Sequence, residues 1–356
     1  MSVLLLALLL VAPQDSSAQR LRAGQEKIKV RDFDGAIPDF ERCLELQPEE
    51  YNASFGLGIC FWEKEEYRKS RDHFTRVVEL VEKAQPGAPL PGVHQKLLGC
   101  AILLEDFDAA IREASHLLRI QTTGEYYYAR ALARRRKGDA KGAIEDCDAA
   151  IKEDALLIKA RILKAEVLLS RGETEPALAE VAAAIQSKPS SHEGYLARAC
   201  AFYRLERWTD ALADLKTARK MNQGQSSNFE DQAAIAALTW LVQTRSGQKE
   251  AARDGIKTYR AALKELQKDP AKDHLLALPL TLAGDLPDAD LLKAAEGAVA
   301  RKGQARCEAN FYIGERKLLG GDAGGAREHF RKCADAAADG VFERELAVLR
   351  LKSLDR

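Results

Sequence analysis

Small and aromatic residues recur along this chain at a nearly constant spacing. Within 31–40, the small residue Ala36 lies three positions after the aromatic Phe33 and four positions before the aromatic Phe40. Separations of three and four residues place side chains on one face of a helix. The same small position returns further along the chain, at Ala36, Ser70, Ala110, Ala143, Ala177 and Ala211. The gaps between these residues are 34, 40, 33, 34 and 34, which predicts an internal repeat of about 34 residues.

A second series of positions marks the first of two helices in each repeat. Close crossing of the two helices requires a small residue there, and the series reads Gly24, Gly58, Leu98, Ala131, Ala165 and Ala199. Leu98 is the one large member, so we expect the third repeat to pack less tightly. The six repeats are expected at 17–50, 51–84, 91–124, 124–157, 158–191 and 192–225. A loop at 85–90, which contains Pro and Gly, accounts for the one long gap in the first series.

This pattern resembles the tetratricopeptide repeat (TPR) family, in which each repeat is a pair of antiparallel helices. The stretches 128–131 and 142–146 resemble the variant common in bacterial members of this family. The resemblance implies an all-α fold, a TPR-type helical-hairpin solenoid wound as a right-handed superhelix. It also implies a concave groove, lined by the first helix of each repeat, along which family members bind a protein or peptide partner.

The C-terminal part follows the repeat less regularly. We expect a degenerate repeat and an irregular helical connector over 226–306, with one helix from Asp288 to Ala300. A final TPR-type repeat and a capping helix are expected over 307–356, because 311–333 restores the aromatic, glycine and alanine positions. The expected organisation is therefore an N-terminal segment (1–18), six repeats (19–225), a degenerate repeat with its connector (226–306) and a final repeat with its cap (307–356).

The N-terminal segment 1–18 has the pattern of a signal peptide. An unbroken apolar run extends from Val3 to Ala12, too short for a membrane-spanning helix, which needs about 20 residues. Pro13 follows, and Ser16, Ser17 and Ala18 are the small residues of a cleavage site after Ala18. The sequence therefore predicts export to the periplasm or beyond. No further stretch of membrane length follows, so no stable membrane span is expected after signal removal.

Composition and motifs give no indication of chemistry. Lys and Arg number 54 and Asp and Glu also number 54, whereas a nucleic-acid-binding domain usually has a basic excess. The seven cysteines are widely spaced and odd in number, so buried thiols are expected. The acidic cluster at 285–290 is interpreted as the start of a helix. A calcium-binding loop needs oxygen ligands at alternate positions, and Pro287 and Ala289 occupy two of those positions. No nucleic acid, metal or cofactor is expected.

Candidate partner-binding residues follow from the TPR resemblance and the register of the repeats. The expected groove lining comprises Asn52, Phe55, Ile59, Trp62, Tyr128, Leu132, Arg135, Arg136, Tyr203 and Arg204, with Glu193, Leu196 and Cys200 beside them. Aromatic, aliphatic and Arg side chains often anchor protein interfaces. For Phe55 and Trp62 the alternative is packing against a neighbouring repeat. A chaperone-tail clamp is not expected, because only Lys96 matches the family's clamp residues in the first three repeats.

These observations predict a non-enzymatic scaffold or adaptor for protein–protein interaction in the bacterial cell envelope. Two alternatives remain. The first is a cytoplasmic TPR scaffold whose apolar N-terminus is part of its first helix. The second is an enzyme or sensor with a site in 267–306.

Overall fold

The computed structural model describes residues 16–222, 229–265, 273–298, 302–336 and 342–355. All regular structure in these residues is α-helical, which confirms the predicted all-α fold of helical hairpins. The chain divides into two compact units, the first ending at Ile120 and the second beginning at Gln121. The apolar run of the predicted signal peptide lies outside the described residues.

The first unit consists of three helical hairpins. Its helices are α1 (Ser17–Lys29), α2 (Phe33–Leu46), α3 (Tyr51–Glu63), α4 (Tyr67–Ala84), α5 (Pro91–Leu103) and α6 (Phe107–Ile120). Each odd-numbered helix packs on the even-numbered helix that follows it, and consecutive hairpins stack through α2 with α3 and α4 with α5. These hairpins fall within the repeats expected at 17–50, 51–84 and 91–124.

The second unit begins with three more hairpins and ends in a less regular group of helices. The hairpins are α7 (Gly124–Arg136) with α8 (Ala140–Glu153), α9 (Ile158–Ser170) with α10 (Thr174–Ser187), and α11 (His192–Arg204) with α12 (Trp208–Met221). The remaining helices are α13 (Phe229–Arg245), α14 (Lys249–Glu265), α15 (His274–Leu282), α16 (Asp288–Glu296), α17 (Lys302–Leu319), α18 (Ala323–Ala334) and α19 (Phe342–Leu354).

Aspartate caps begin the second helix in several hairpins. The side chains of Asp32 and Asp139 each accept a hydrogen bond, at 2.9 Å, from the backbone N–H three residues later, at Gly35 and Gly142. Such a cap satisfies one of the unpaired N–H groups at a helix start. A Cβ atom at Gly35 would lie 2.1 Å from the Asp32 carboxylate, so glycine at the third position leaves room for the cap.

Close helix crossing relies on glycine opposite phenylalanine. A Cβ atom at Gly24 would lie 2.7 Å from the Phe40 ring, and one at Gly58 would lie 2.7 Å from the Phe74 ring. Real Cβ atoms do not approach so closely, so only glycine fits these crossings.

The third repeat contains the opposite pair of sizes, and its helices α5 and α6 approach each other less closely than the helices of the other five hairpins, in line with the expected looser packing. Leu98 occupies the small position, but the aromatic position four residues after Ala110 holds Ala114. Both are buried, with 6% of Leu98 and 0% of Ala114 exposed. A large residue on one helix is therefore paired with a small one on the other, and both positions stay buried.

The region after the sixth hairpin departs from the sequence prediction in two places. Helix α15, which contains Pro279, was not predicted. Helix α16 begins at Asp288 as expected but ends at Glu296, and its N-cap is Pro287, not an acidic side chain. Asp288 instead accepts two hydrogen bonds from Arg316 of α17, at 2.6 and 2.7 Å.

Candidate partner-binding groove

The first helices of three successive hairpins in the second unit pack side by side. Helix α7 contacts α9, and α9 contacts α11. Their sequences are in register at the repeat period, so each position on α7 has an equivalent on α9 and α11. One such set is Tyr128, Ile162 and Leu196, and a second is Leu132, Glu166 and Cys200. All six residues line one open pocket of about 380 Å³.

Four further residues complete this pocket, which we call the α7–α9–α11 pocket: Lys159, Leu163, Glu193 and Ala197. Its floor is apolar, because Leu132 and Tyr128 pack on the buried residues Ala131, Cys147 and Leu163. Its charged residues are Lys159, Glu166 and Glu193. An apolar floor with a few polar groups is typical of a site that accepts a side chain of a partner.

Tyr128 provides the hydroxyl group of this pocket. Its ring is half-buried and also contacts the cluster of Ala150, Leu157 and Ala160 between α8 and α9. Burial raises the pKa of Tyr128 to about 12, and the nearby Glu166 carboxylate acts in the same direction. The phenol is therefore protonated at neutral pH and can donate a hydrogen bond to a ligand in the pocket.

One charged residue of the pocket, Glu166, is neutralised by an arginine of the same chain. Arg135 of α7 forms an ion pair with Glu166 of α9, and only 10% of the Arg135 side chain is exposed. Pairing in such a confined position holds both side chains in place. The charge of Arg135 is therefore paired with Glu166, and little of it is accessible to a partner in the groove.

Two of the expected lining residues are buried, so the expectation that they line an open surface is wrong. Arg136 is 8% exposed and donates to Gln304 of α17 at 3.5 Å. Tyr203 is 1% exposed and donates its hydroxyl hydrogen to Glu315 of α17 at 3.3 Å. Repeat register places both on the groove side of their helices, but α17 covers that part of the groove. Arg204 is half-buried beside Tyr203.

Glu315 is the centre of a buried charge network between four helices. It accepts hydrogen bonds from Tyr203 of α11, from Arg245 of α13 and, at 2.7 Å, from Arg350 of α19. The Glu315 side chain is fully buried, and 18% of each Arg side chain is exposed. Burial acts to lower the pKa of Arg350, but the Glu315 carboxylate raises it on balance. This network fixes the C-terminal helices on the second unit.

A second carboxylate, Glu343 of α19, lies among like charges. Its pKa is raised to about 8, first by burial and then by Glu308 of α17 and Glu166 of α9, while Arg135 acts in the opposite direction. Glu343 is therefore largely protonated at neutral pH. Because Glu166 also lines the α7–α9–α11 pocket, helix α19 comes close to that pocket.

The four expected lining residues of the first unit divide into exposed and packed side chains. Asn52 is exposed, and Phe55 is 39% exposed with its ring edge-on to Phe74 and the two ring centres 5.7 Å apart. Ile59 is half-buried against the cluster that contains Phe74. Trp62 adopts the alternative arrangement, in which it packs against a neighbouring repeat. A Cβ atom at Gly99 would lie 2.6 Å from its ring, so Trp62 packs against the next repeat.

Lys96, the residue that matches the family's chaperone clamp, also packs on Trp62. Its ammonium nitrogen lies 4.4 Å from the centre of the Trp62 ring, within the range of a cation–π contact. Tyr51, which is 45% exposed at the start of α3, was not included among the candidates. Exposed Tyr51 and Phe55 are the apolar side chains available on α3.

Sequence reasoning missed the contribution of the fifth repeat to the pocket. Ile162 and Glu166 lie one repeat period after Tyr128 and Leu132, so the period alone could have identified them. Lys159 follows from the same register, since it lies one period before Glu193. The contact of Gln304 with Arg136 and the proximity of Glu343 to Glu166 had no sequence signal, because they join segments that are far apart in the chain.

The described part of 267–306 contributes Leu292, Glu296, Gly303 and Arg306 to an open pocket of about 630 Å³, which Asn310, Lys332, Asp335 and Ala336 complete. Arg306 forms an ion pair with Glu296 at 2.9 Å. Asp285 forms an ion pair with Arg260, and Asp288 with Arg316. No group of three His, Cys, Asp or Glu residues that could hold a metal ion occurs in the residues described. The neighbouring His329 has its pKa lowered by burial and shares a hydrogen bond with Asn310 at 2.9 Å. These side chains are engaged in structural contacts.

No helix in the described parts of the chain combines the length and the apolar character that crossing a bilayer requires.

Comparison with known proteins identifies repeats in the first part of the chain. Residues 21–89 match the sequence model of the tetratricopeptide repeat. No curated protein matches the chain. The prediction of tetratricopeptide repeats is confirmed by this match, and the exported bacterial type remains a prediction.

Several solved structures of helical repeat proteins are similar to this chain at low sequence identity. The PilF protein of Pseudomonas aeruginosa is 13% identical with a TM-score of 0.42, over 61% of this chain and 96% of its own. A TPR repeat-containing protein of Cytophaga hutchinsonii is also 13% identical with a TM-score of 0.42, over 83% and 99%. YrrB, described as a TPR protein with an unusual peptide-binding site, is 16% identical with a TM-score of 0.30, over 60% and 89%. At these values the similarity carries no information about partners.

Proposed function

Because this chain contains tetratricopeptide repeats, we propose that it is a non-enzymatic adaptor that binds a segment of a partner protein in the α7–α9–α11 pocket. The observation that carries the proposal is the recurrence of lining residues at equivalent positions of three helices around one pocket. Repeats that present equivalent positions along a groove suit an extended ligand, which contacts one repeat after another.

The lining determines the kind of segment that fits. Ile162, Leu163 and Leu196 offer apolar surface for one aliphatic or aromatic side chain. Glu166 is paired with Arg135, so Lys159 and Glu193 provide one positive and one negative charge beside the pocket. The complementary segment carries an apolar side chain with an acidic and a basic residue near it. Charges placed in this way orient a ligand and exclude wrong partners.

A peptide selection tests this proposal directly. Peptides displayed on phage are selected on the immobilised full chain, and the Kd of each synthetic peptide is then measured by titration calorimetry. The decisive variant is Ile162→Glu, since Ile162 lines the pocket and is half-buried. The matched control is Leu156→Glu, because Leu156 is 70% exposed and does not line the pocket.

We expect Ile162→Glu to weaken peptide binding at least tenfold, equivalent to about 1.4 kcal/mol, and Leu156→Glu to leave the Kd unchanged. Circular dichroism confirms that both variants are folded. Equal affinity of the two variants for every selected peptide would show that the pocket is not the binding site.

We further propose that the protein acts in the cell envelope after export. Support comes from the apolar run of Val3 to Ala12 followed by the small residues up to Ala18. Mass spectrometry of the native protein tests this point, with a mature N-terminus at Gln19 as the expected result. An intact Met1 would instead support the cytoplasmic scaffold. Since Ser16 caps α1, cleavage also removes this cap and shortens α1 from its N-terminal end.

A further inference from the structure

Two of the seven cysteines meet inside the last hairpin. Cys307 lies in the first turns of α17 and Cys333 lies near the end of α18, and both side chains are fully buried. Their sulfur atoms are 2.6 Å apart. Non-bonded heavy atoms are most stable at about 3.5–4.0 Å, so this pair is closer than two ordinary neighbours in a core.

The helical-hairpin geometry explains why these positions face one another. Cys307 opens the final repeat at 307–340, and Cys333 lies toward the end of the second helix of that repeat. The equivalent positions in the fourth repeat are Gly124 and Ala150. A Cβ atom at Gly124 would lie 3.0 Å from the Ala150 carbonyl oxygen, which shows the same close approach of the two helices.

The pairing of two cysteines at these positions is particular to the last repeat. The six earlier repeats have the pairs Ser17 and Cys43, Tyr51 and Val77, Pro91 and Leu117, Gly124 and Ala150, Ile158 and Ala184, and His192 and Ala218. A small residue is all that the packing at the second position requires, and alanine supplies it in three repeats. Packing alone therefore does not account for a cysteine at both positions.

We propose that Cys307 and Cys333 form a disulfide bond that links α17 to α18. The reaction requires a disulfide oxidant, such as oxidised glutathione. One cysteine thiolate attacks the oxidant, forms a mixed disulfide and releases one glutathione thiol. The second cysteine thiolate then attacks the cysteine sulfur of the mixed disulfide and releases the other glutathione thiol. Two electrons and two protons pass in total from the cysteine pair to the oxidant.

The mixed disulfide forms before the hairpin closes, and the bond between the two cysteines follows as α17 and α18 come together. Burial raises the pKa of the Cys333 thiol, and its contact with Cys307 acts in the same direction. The thiolate is the reactive form, so exchange is slow once the pair is enclosed. In the unfolded chain both thiols are accessible to the oxidant, and folding of α17 against α18 brings them together.

The proposed bond lies in the hairpin that the last helix of the chain packs against. Helix α17 carries Glu315, the centre of the buried charge network, and both α17 and α18 contact α19. A covalent link between α17 and α18 therefore holds the hairpin on which the C-terminal helices assemble. Cross-linking also restricts the unfolded chain, which stabilises the folded one.

Peptide mapping tests this proposal on the full chain. The protein is unfolded, refolded in a glutathione redox buffer, denatured without reductant and alkylated. Trypsin then releases Cys307 within 307–316 and Cys333 within 333–344, each as the sole cysteine of its peptide. We expect these two peptides to be joined in one species, which separates on reduction. Complete alkylation of both cysteines in protein that has regained its helicity would overturn the proposal.

A thermal-unfolding comparison provides a second readout. Cys333→Ala is the test variant, because alanine occupies this position in three other repeats. Cys147→Ala, in the core of the fourth repeat, is the matched control. Reductant is expected to lower the midpoint of thermal unfolding for the wild type and for Cys147→Ala, and to leave it unchanged for Cys333→Ala. Equal midpoints of the wild type with and without reductant would also overturn the proposal. Neither readout depends on a partner, so both are independent of the adaptor function.

Discussion

At the scale of single residues, the hairpins are held together by pairs of matched size. Gly24 and Gly58 face Phe40 and Phe74, and glycine is required because the ring occupies the space of a Cβ atom. In the third repeat the sizes are reversed, with Leu98 and Ala114 both buried. The repeat pattern predicts the position of each pair. It does not predict that a large residue at one position goes with a small residue at the other, because it specifies each position separately.

Exchanging one of these pairs tests whether its members are matched. Gly58→Leu is expected to destabilise by about 1–3 kcal/mol through overpacking. Phe74→Ala is expected to destabilise by about 3–5 kcal/mol through a cavity. The double variant reproduces the sizes of Leu98 and Ala114, so we expect it to be more stable than the sum of the single effects by about 1–2 kcal/mol.

Urea denaturation of the four proteins measures this coupling. Gly58→Leu combined with Phe330→Ala serves as a control, because Phe330 packs within the core of the second unit whereas Gly58 belongs to the first. The control effects should be additive. Additivity in the Gly58 and Phe74 pair as well would mean that the two positions do not share one space.

Glu343 gives the second unit a stability that depends on pH. The groups that face it are Glu308 and Tyr312 of α17, Glu166 of α9, Arg135 of α7, Cys200 of α11 and Cys333 of α18. Its pKa is raised from 4.5 to about 8 in the folded chain. Between these pH values the folded chain holds a proton that the unfolded chain has released, so the free energy of unfolding falls as pH rises.

Replacing Glu343 by glutamine should remove this contribution. Glu343→Gln is expected to flatten the decline in unfolding free energy between pH 5 and pH 8, with the largest gain over the wild type at pH 8. Urea denaturation at several pH values measures the slope. Glu153→Gln, at an exposed position of α8, should retain the wild-type slope. A slope unchanged by Glu343→Gln would show that another group causes the decline.

At the scale of helices, the regular hairpins and the C-terminal group differ in how far apart in sequence their contacting segments lie. Hairpins are held by repeated apolar contacts between neighbours in sequence, which is why their limits could be predicted within a few residues. The C-terminal helices are held by contacts between distant segments, which include one large apolar cluster and the hydrogen bonds of Glu315 with Tyr203, Arg245 and Arg350. A periodic pattern contains no information about such contacts, so neither the network nor α15 was predicted.

Removing the central carboxylate tests the importance of this network. Glu315→Ala leaves Arg245 and Arg350 without their buried partner, and we expect it to lower the free energy of unfolding by about 3–5 kcal/mol. Glu145→Ala is the control. Glu145 is exposed and lies 3.9 Å from Lys141, so its loss should cost about 0.5 kcal/mol or less. Urea denaturation distinguishes the two results, and a similarly small effect of Glu315→Ala would mean that the network does not hold these helices.

At the scale of the whole molecule, the predicted groove is only partly accessible. Tyr128, Leu132, Glu193, Leu196 and Cys200, which the repeat register placed along the groove, line one pocket. It could not show that α17 buries Arg136 and Tyr203, because those contacts depend on how the C-terminal helices fold back within the second unit. Within the second unit, the accessible part of the groove is therefore the α7–α9–α11 pocket, and partner binding there is the central proposal.

Photo-crosslinking tests this claim most directly. A selected peptide carries a benzophenone at its apolar anchor, is irradiated with the full chain, and the modified residues are identified by mass spectrometry. Our account predicts modification of α7, α9 and α11 at or beside Tyr128, Ile162 and Leu196, with excess unlabelled peptide suppressing it. Modification that the unlabelled peptide suppresses, but that is confined to the second helices of these hairpins (α8, α10 and α12) or to the first unit, would contradict it.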